Sequence, residues 1–277
     1  MTQVPNVTLN NGVEIPQFGY GVFQVPPERT AAAVLEAFAA GYRHVDTAQM
    51  YRNEEGVGRA LADSSLAREE VFVTTKLNNG SHGHQRAIDA LEQSLRTMRL
   101  DYVDLYLIHW PLPRQDRYVE TWKAFEKLLA AGKARAIGVS NFQPAHLDRL
   151  AMATEVVPAV NQIELHPRLT QRELRRYHAE HNIATEAWSP IAKGRVLGHP
   201  TLTGLAEKYG KSAAQVILRW HIQIGNIVFP KTNSPERMRE NIDVFDFELA
   251  SDDVAAIEEL DDRHRTGPDP DTFDPTG

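Results

Sequence analysis

The chain has 277 residues, 42% of them hydrophobic and 24% charged, with a net charge of −7. That length and apolar content suit a large globular domain with a buried core, and the acidic balance excludes electrostatic attraction to nucleic acid or an anionic membrane as an organising feature. The absence of cysteine excludes disulfides, thiolate nucleophiles and cysteine-bound zinc. No apolar run approaches the roughly 20 residues of a membrane span, and no basic-then-apolar leader opens the chain. The expectation is a soluble cytoplasmic protein with no nucleic-acid or membrane partner.

Taken in order, Val7 to Leu9 and Val13 to Ile15 flank Asn-Asn-Gly, which reads as a tight hairpin. Phe18 to Tyr20 is a short apolar run. Pro26-Pro27-Glu28 opens a helix, with proline suited to the first turn, and Gly41 ends it. Tyr42 to Asp46 reads as a strand, and a helix follows from about Glu54 to Ala62. The strand Val71 to Lys76 comes next. Ile88, Leu91, Leu95 and Met98 recur at helical spacing, before the strand Val103 to His109. Trp122, Phe125, Leu128 and Leu129 mark another helix, closed by Gly132. Ala136 to Ser140, a helix with Leu147 and Leu150, and Ala159 to Glu164 continue the alternation. A helix near Arg172 to Glu180 leads to the run Ile183 to Trp188. Ser212 to Ile224 is helical, Ile227 to Pro230 is a last buried run, and the tail from Arg265 is loop-like.

Eight short strands, apolar on both faces and alternating with helices, imply a parallel sheet buried on both sides. Eight such units in this length imply a closed (β/α)₈ TIM barrel with an N-terminal hairpin and a C-terminal loop, one domain over 1–277. The competing architecture is an open doubly wound sheet, but no Gly-x-Gly-x-x-Gly follows the first strand. In a barrel the site lies where the strands end. There the sequence places Asp46, Lys76, His109, Ser140-Asn141, Gln162, Glu164, Trp188-Ser189 and Lys231.

Asp46, Lys76, His109 and the nearby Tyr51 compose a proton-transfer set. A phenol with a pKa of about 10 is a weak acid at neutral pH, and an adjacent ammonium held by a carboxylate is expected to lower it. Singly, each residue has a plainer reading: Asp46 and Lys76 as a structural ion pair, Tyr51 as a core phenol, His109 as a satisfied buried histidine. Together on adjacent strand ends they favour a site.

Several segments then carry a resemblance. They are Gly-Tyr-Arg-His-Val-Asp-Thr-Ala (41 to 48) with Tyr51 and Asn53-Glu54, Leu-Tyr-Leu-Ile-His-Trp-Pro (105 to 111) and Ile-Gly-Val-Ser-Asn-Phe (137 to 142). Asn-Gln-Ile-Glu-Leu-His-Pro (161 to 167) and Pro230-Lys231 with Arg237 and Glu240-Asn241 complete the set. In these the chain resembles an aldo-keto reductase, most like bacterial 2,5-diketo-D-gluconate reductases, over nearly its whole length. The resemblance implies an NADPH-dependent carbonyl reductase, monomeric, with no metal. It implies Tyr51 as general acid, Lys76 and Asp46 as the pair that tunes it, and His109 as the group orienting the carbonyl. Ser140, Asn141 and Gln162 would hold the nicotinamide carboxamide, and Trp188 would stack on the ring. Lys231, Thr232 and Arg237 would take the 2′-phosphate. Further cofactor contacts are implied at Gly21, Val22, Ser189, Pro190, Asn233, Glu240 and Asn241. Phe23, Ala48, Met50, Asn78, Trp110 and Lys193 would face the substrate, a small carbonyl compound. Asn78 stands where close relatives commonly carry tryptophan, and Ile191-Ala192-Lys193 where they often show Leu-Gly-Gln, so diketogluconate is not carried over as the substrate. Two other functions remain open on the sequence: an aldolase or isomerase using Lys76 as a Schiff base, and a cofactor-binding sensor without catalysis.

Overall fold

The computed structural model describes residues 4–275. Two short antiparallel strands come first, β1 (Asn6–Thr8) and β2 (Glu14–Pro16), paired with Val7 opposite Ile15. Eight parallel strands follow: β3 (Tyr20–Gly21), β4 (His44–Asp46), β5 (Phe72–Leu77), β6 (Val103–Ile108), β7 (Ala134–Ser140), β8 (Val160–Glu164), β9 (Ala184–Trp188) and β10 (Ile227–Val228). They lie side by side in chain order. A parallel bridge between Phe18 and Val228 joins the two edges, with Gly19 N–H donating to Val228 C=O at 2.7 Å and Val228 N–H to Gln17 C=O at 3.0 Å. The sheet thus curls into the (β/α)₈ barrel expected from the strand count.

The helices are α1 (Pro27–Ala39), α2 (Glu54–Asp63), α3 (His84–Met98), α4 (Tyr118–Ala130), α5 (Pro144–Ala153), α6 (Arg172–Glu180), α7 (Pro200–Tyr209), α8 (Ala213–Gln223), α9 (Pro235–Ile242) and α10 (Ser251–Glu258). Their starts follow local chemistry. Proline occupies the first turn of α1, α5, α7 and α9, where its missing N–H costs nothing. Ser212 and Gln215 cap α8 reciprocally, each side chain taking the other's backbone N–H. Helix α3 buries the stripe Ala87, Leu91, Leu95 and Met98, one face of a 3.6-residue period. Two helices, α7 and α10, lie outside the pattern read from the sequence. No helix among the described residues is long and apolar enough to cross a membrane.

The core has two parts. A large cluster lies between the strands and the surrounding helices. A smaller one fills the lower barrel, where Leu9 and Ile15 of the hairpin meet Phe72, Leu105, Leu107, Ala136, Val160 and Ile227. The hairpin therefore plugs the N-terminal end of the strands. Gly138 belongs to this interior: a Cβ there would stand 2.6 Å from the Val160 carbonyl oxygen and 2.7 Å from Leu107 Cδ2. The barrel is closed below, and access is from above.

Candidate active site

Strand register builds the site. Asp46 lies opposite Thr74 on β5, so Lys76 is one alternation further along on the same side. Its Nζ reaches back to donate to Asp46 Oδ1 at 2.6 Å and to the Thr47 carbonyl at 2.9 Å. Lys76 is fully buried and Asp46 is 3% exposed. Burial raises the Asp46 pKa and the Lys76 ammonium pulls it back. For Lys76 burial works against the charge, but Asp46 and Tyr51 outweigh it and the ammonium is held.

Tyr51 closes a 3₁₀ turn, Gln49–Tyr51, just beyond β4. Lys76 Nζ lies 5.1 Å from its ring centroid, and two of the three ammonium hydrogens are already committed to Asp46 and Thr47. Phe23 and His109 flank the phenol, with ring centroids 5.0 and 5.8 Å away. One expectation is corrected here. The ammonium does pull the Tyr51 pKa down, but burial raises it more, and the net direction is upward.

His109 follows β6 directly and is buried, with Nδ1 unpartnered among the described residues. Burial first, and then the positive charge of Lys76, hold its pKa well below the ordinary range, so the ring is neutral. Asn141, in the left-handed region at φ 66° that asparagine tolerates, ties the strand ends together. Its Nδ2 donates to the His109 carbonyl at 2.9 Å, and its Oδ1 accepts from Trp188 Nε1 at 2.8 Å. Ser140 Oγ donates to the Gln162 carbonyl at 2.8 Å.

These groups open into a cavity of about 810 Å³. Asp46, Tyr51, His109, Ser140, Asn141, Gln162 and Trp188 line it. So do Gly21, Ser189, Pro190, Lys231, Thr232, Arg237, Glu240 and Asn241, and the apolar walls Phe23, Met50 and Trp110, with Lys193 at the rim. Lys76 sits beneath this surface. Four residues named from the sequence are not in the lining. Val22 and Ala48 are fully buried, Asn233 is exposed, and Asn78 is half-buried, with its backbone N–H donating to Gln49 Oε1 at 3.2 Å.

The sequence reading also missed part of the wall. The tail after α10 folds back over the cavity mouth. Phe273 packs on Trp110 with centroids 4.3 Å apart, and a Cβ on Gly267 would strike the Trp188 ring. Glu164 anchors this strap: its buried carboxylate accepts from Thr266 N–H and Oγ1, both at 2.6 Å, and from Gly267 N–H at 3.1 Å. Burial alone would raise its pKa, but the bonds from His166 and Thr266 outweigh it and hold it below the ordinary range. Lys193 Nζ donates to the Thr266 carbonyl at 3.1 Å. A second omission is Glu186, buried on β9 beside Gln162. Its signal was a lone carboxylate in an otherwise buried run.

The model of the aldo/keto reductase family matches residues 16–262. An aldo-keto reductase of Mycobacterium sp. (strain KMS) is 56% identical over 273 residues, covering 99% of each chain. The glyoxal reductase of Bacillus subtilis (strain 168) is 51% identical over 266 residues, 96% of each. A crystal structure of a Gox0644 mutant in complex with NADPH superposes with a TM-score of 0.95 at 49% identity, over 99% of this chain and 100% of that one. With the barrel, the strand-end polar residues and these likenesses in agreement, the chain belongs to the aldo/keto reductase family.

Proposed function

We propose that the protein reduces small aldehydes, ketones or dicarbonyls to alcohols with NADPH, and that Tyr51 is the general acid. The observation that carries this reading is the buried Asp46–Lys76 pair beneath a phenol that opens, beside a neutral histidine, into a single cavity. The named activity of the Bacillus subtilis relative and the ligand of the Gox0644 structure support it.

The residues present fit the cofactor. The cavity runs from Tyr51 to Lys231 and Arg237, whose side chains pair with no carboxylate among the described residues and so stand ready for phosphate, with Arg able to bond it twice. Ser140, Asn141, Gln162 and Trp188 would hold the nicotinamide end. When bound, NADPH supplies the hydride. The chain supplies the rest. His109, neutral, donates to the carbonyl oxygen and orients it. Tyr51 delivers the proton to that oxygen, and Lys76 stabilises the phenolate left behind. Asp46 keeps Lys76 charged. A Schiff base at Lys76 is disfavoured because the amine is buried and committed to Asp46 and Thr47.

The test is loss of NADPH absorbance with a panel of aldehydes, ketones and dicarbonyls, glyoxal included. Turnover of several panel members is expected. No oxidation of NADPH by any of them, in protein that binds the cofactor, defeats the proposal.

A further inference from the structure

The barrel mouth holds a second carboxyl group with no part in the chemistry above. Glu186 on β9 lies across from Gln162 on β8 and from Ile227 on β10, and parallel partners project to one side. Gln162 Nε2 donates to Asp46 Oδ2 at 2.9 Å and to Glu186 Oε2 at 2.8 Å. An amide nitrogen carries two hydrogens, so both are spent on carboxyl groups. The amide oxygen is then the atom turned to the cavity that Gln162 lines. Among the described residues, Glu186 Oε1 is buried without a partner.

Charge balance points the same way. Lys76 pairs with Asp46, and Glu186 feels the same ammonium without an ion pair to it. The strand on the far side of Glu186 brings only Ile227 and Val228. Two buried carboxylates beside one cation do not both ionise at ordinary pH. Asp46 holds the ammonium at 2.6 Å, so Glu186 yields. Burial and then the negative charge of Asp46 push its carboxyl up to about 8, with Gln162 and Lys76 offsetting only part.

We propose that Glu186 is a positioning residue of the reductase site. As a neutral acceptor it fixes the Gln162 amide with nitrogen on Asp46 and oxygen toward the cofactor, and its ionisation slows proton delivery from Tyr51. With Glu186 neutral, the Asp46–Lys76–Glu186 group carries no net charge. With Glu186 ionised it carries one negative charge, and the phenolate formed at Tyr51 then meets a repulsion it did not meet before. The kinetic part rests on Tyr51 being the acid; the amide orientation and the protonation of Glu186 do not.

The experiment compares the native protein with Glu186→Gln, which keeps an acceptor but cannot ionise, and Glu186→Leu, which lacks the acceptor. In the native protein kcat for reduction is expected to fall several-fold as pH rises through about 8, and Glu186→Gln is expected to lose that limb. NADPH Kd is expected to rise several-fold more in Glu186→Leu than in Glu186→Gln. Infrared difference spectra of the native protein are expected to show a protonated carboxyl stretch that titrates away over the same range and is absent in Glu186→Gln. A limb shared by the native protein and Glu186→Gln, with no titrating carboxyl band, overturns the proposal. If Tyr51→Phe keeps its turnover while the band and the Kd difference are present, the acid assignment falls and the positioning role stands. If Glu186→Leu does not fold, the carboxyl band and the pH profile of Glu186→Gln decide between the two outcomes.

Discussion

The two ends of this barrel each bury an aspartate, and they treat it differently. At the N-terminal end of the strands, Asp104 on β6 accepts from Arg68 at 2.7 Å, Arg135 at 2.8 Å and Val73 N–H at 2.9 Å. Two guanidiniums that never deprotonate and a backbone amide leave that carboxylate satisfied. At the C-terminal end, one ammonium pairs with Asp46 beside a phenol and leaves Glu186 without an ion pair, and among the described residues both Glu186 Oε1 and His109 Nδ1 lack partners. The depression at the lower end is the larger, about 1350 Å³ against 810 Å³, so size does not mark the site. Shortage of counter-charge does. A group with all its bonds made has nothing left to give a ligand; one that shares a cation can pass a proton.

The contrast is broken most directly at Tyr51. Tyr51→Phe keeps the ring and its packing, and kcat is expected to fall roughly 10²–10⁴-fold, the usual reach of general acid catalysis, with NADPH binding and melting temperature retained. Near-native turnover, with hydride transfer shown to limit the rate, removes Tyr51 from its role.

Asp104→Ala tests the other end. It strands the Val73 amide and takes the carboxylate from Arg68, which keeps only the Val71 and Tyr102 carbonyls, while Arg135, nearly half exposed, is rehydrated. A loss of about 2–3 kcal/mol is expected in chemical denaturation, with kcat of the folded protein within about twofold of native. A large fall in kcat without loss of stability contradicts the division of labour between the ends.

Arg237→Ala sharpens the picture within the upper end. It is expected to weaken NADPH binding by at most about 1.5–3 kcal/mol and to leave NADH binding unchanged, because NADH has no 2′-phosphate. Titrating both cofactors against tryptophan fluorescence reads the difference. Equal losses for the two place Arg237 in the fold or at the pyrophosphate. Salt is expected to erode the preference, since Arg237 is exposed.

The last effect is on stability. The Glu186 carboxyl titrates near 4.5 when unconstrained and at about 8 in the fold. The native state therefore holds a proton that the unfolded chain releases, and stability drains away as pH rises between those values. Glu186→Gln has no such term, so its stability relative to native is expected to climb across that window and level off above it. A buried amide N–H without a partner costs the variant about 1–3 kcal/mol at every pH, which lowers its whole curve without flattening the climb. A constant difference in denaturation midpoint from acid to alkaline pH rejects the assignment.

The sequence was most legible where local pattern and chemistry coincide. Asp46, Lys76 and His109 stand at or next to the ends of apolar strands, and period-two alternation puts them on the inner side without knowledge of the fold. Tyr51 was found by type and proximity, but the direction of its pKa was misjudged: the charge beside it could be read from residues, and the water excluded around it could not. Glu186 escaped because its meaning depends on standing across from Gln162, a pairing that only barrel register creates. The strap from Thr266 to Phe273 escaped because loop composition carries no record of what a loop covers. The resemblance alone puts Asn78 in the cavity wall; in the fold it leads into the 3₁₀ turn after β5 (Asn79–Ser81) and is not part of the lining.

The barrel's seam has a consequence of its own. Where β3 meets β10 the strands are two residues each, and the join rests on the Gly19 and Val228 amides and on Tyr20 Oη donating to the Thr232 carbonyl at 2.8 Å. Every other neighbouring pair of barrel strands matches over at least two residue pairs, against a single bridge here, so this is the place where the cylinder opens at least cost. Its two lips carry Gly21 on one side and Phe229 to Thr232 on the other, and all of them face the cavity. A ligand lying across both lips works as a clasp: it binds only the closed cylinder and so draws the seam shut in proportion to its own affinity. Deuterium uptake at the Gly19 and Val228 amides is expected to slow on NADPH addition more than uptake at the middle of β6, and the breathing of the empty barrel becomes a measure of how strongly the occupied one is held.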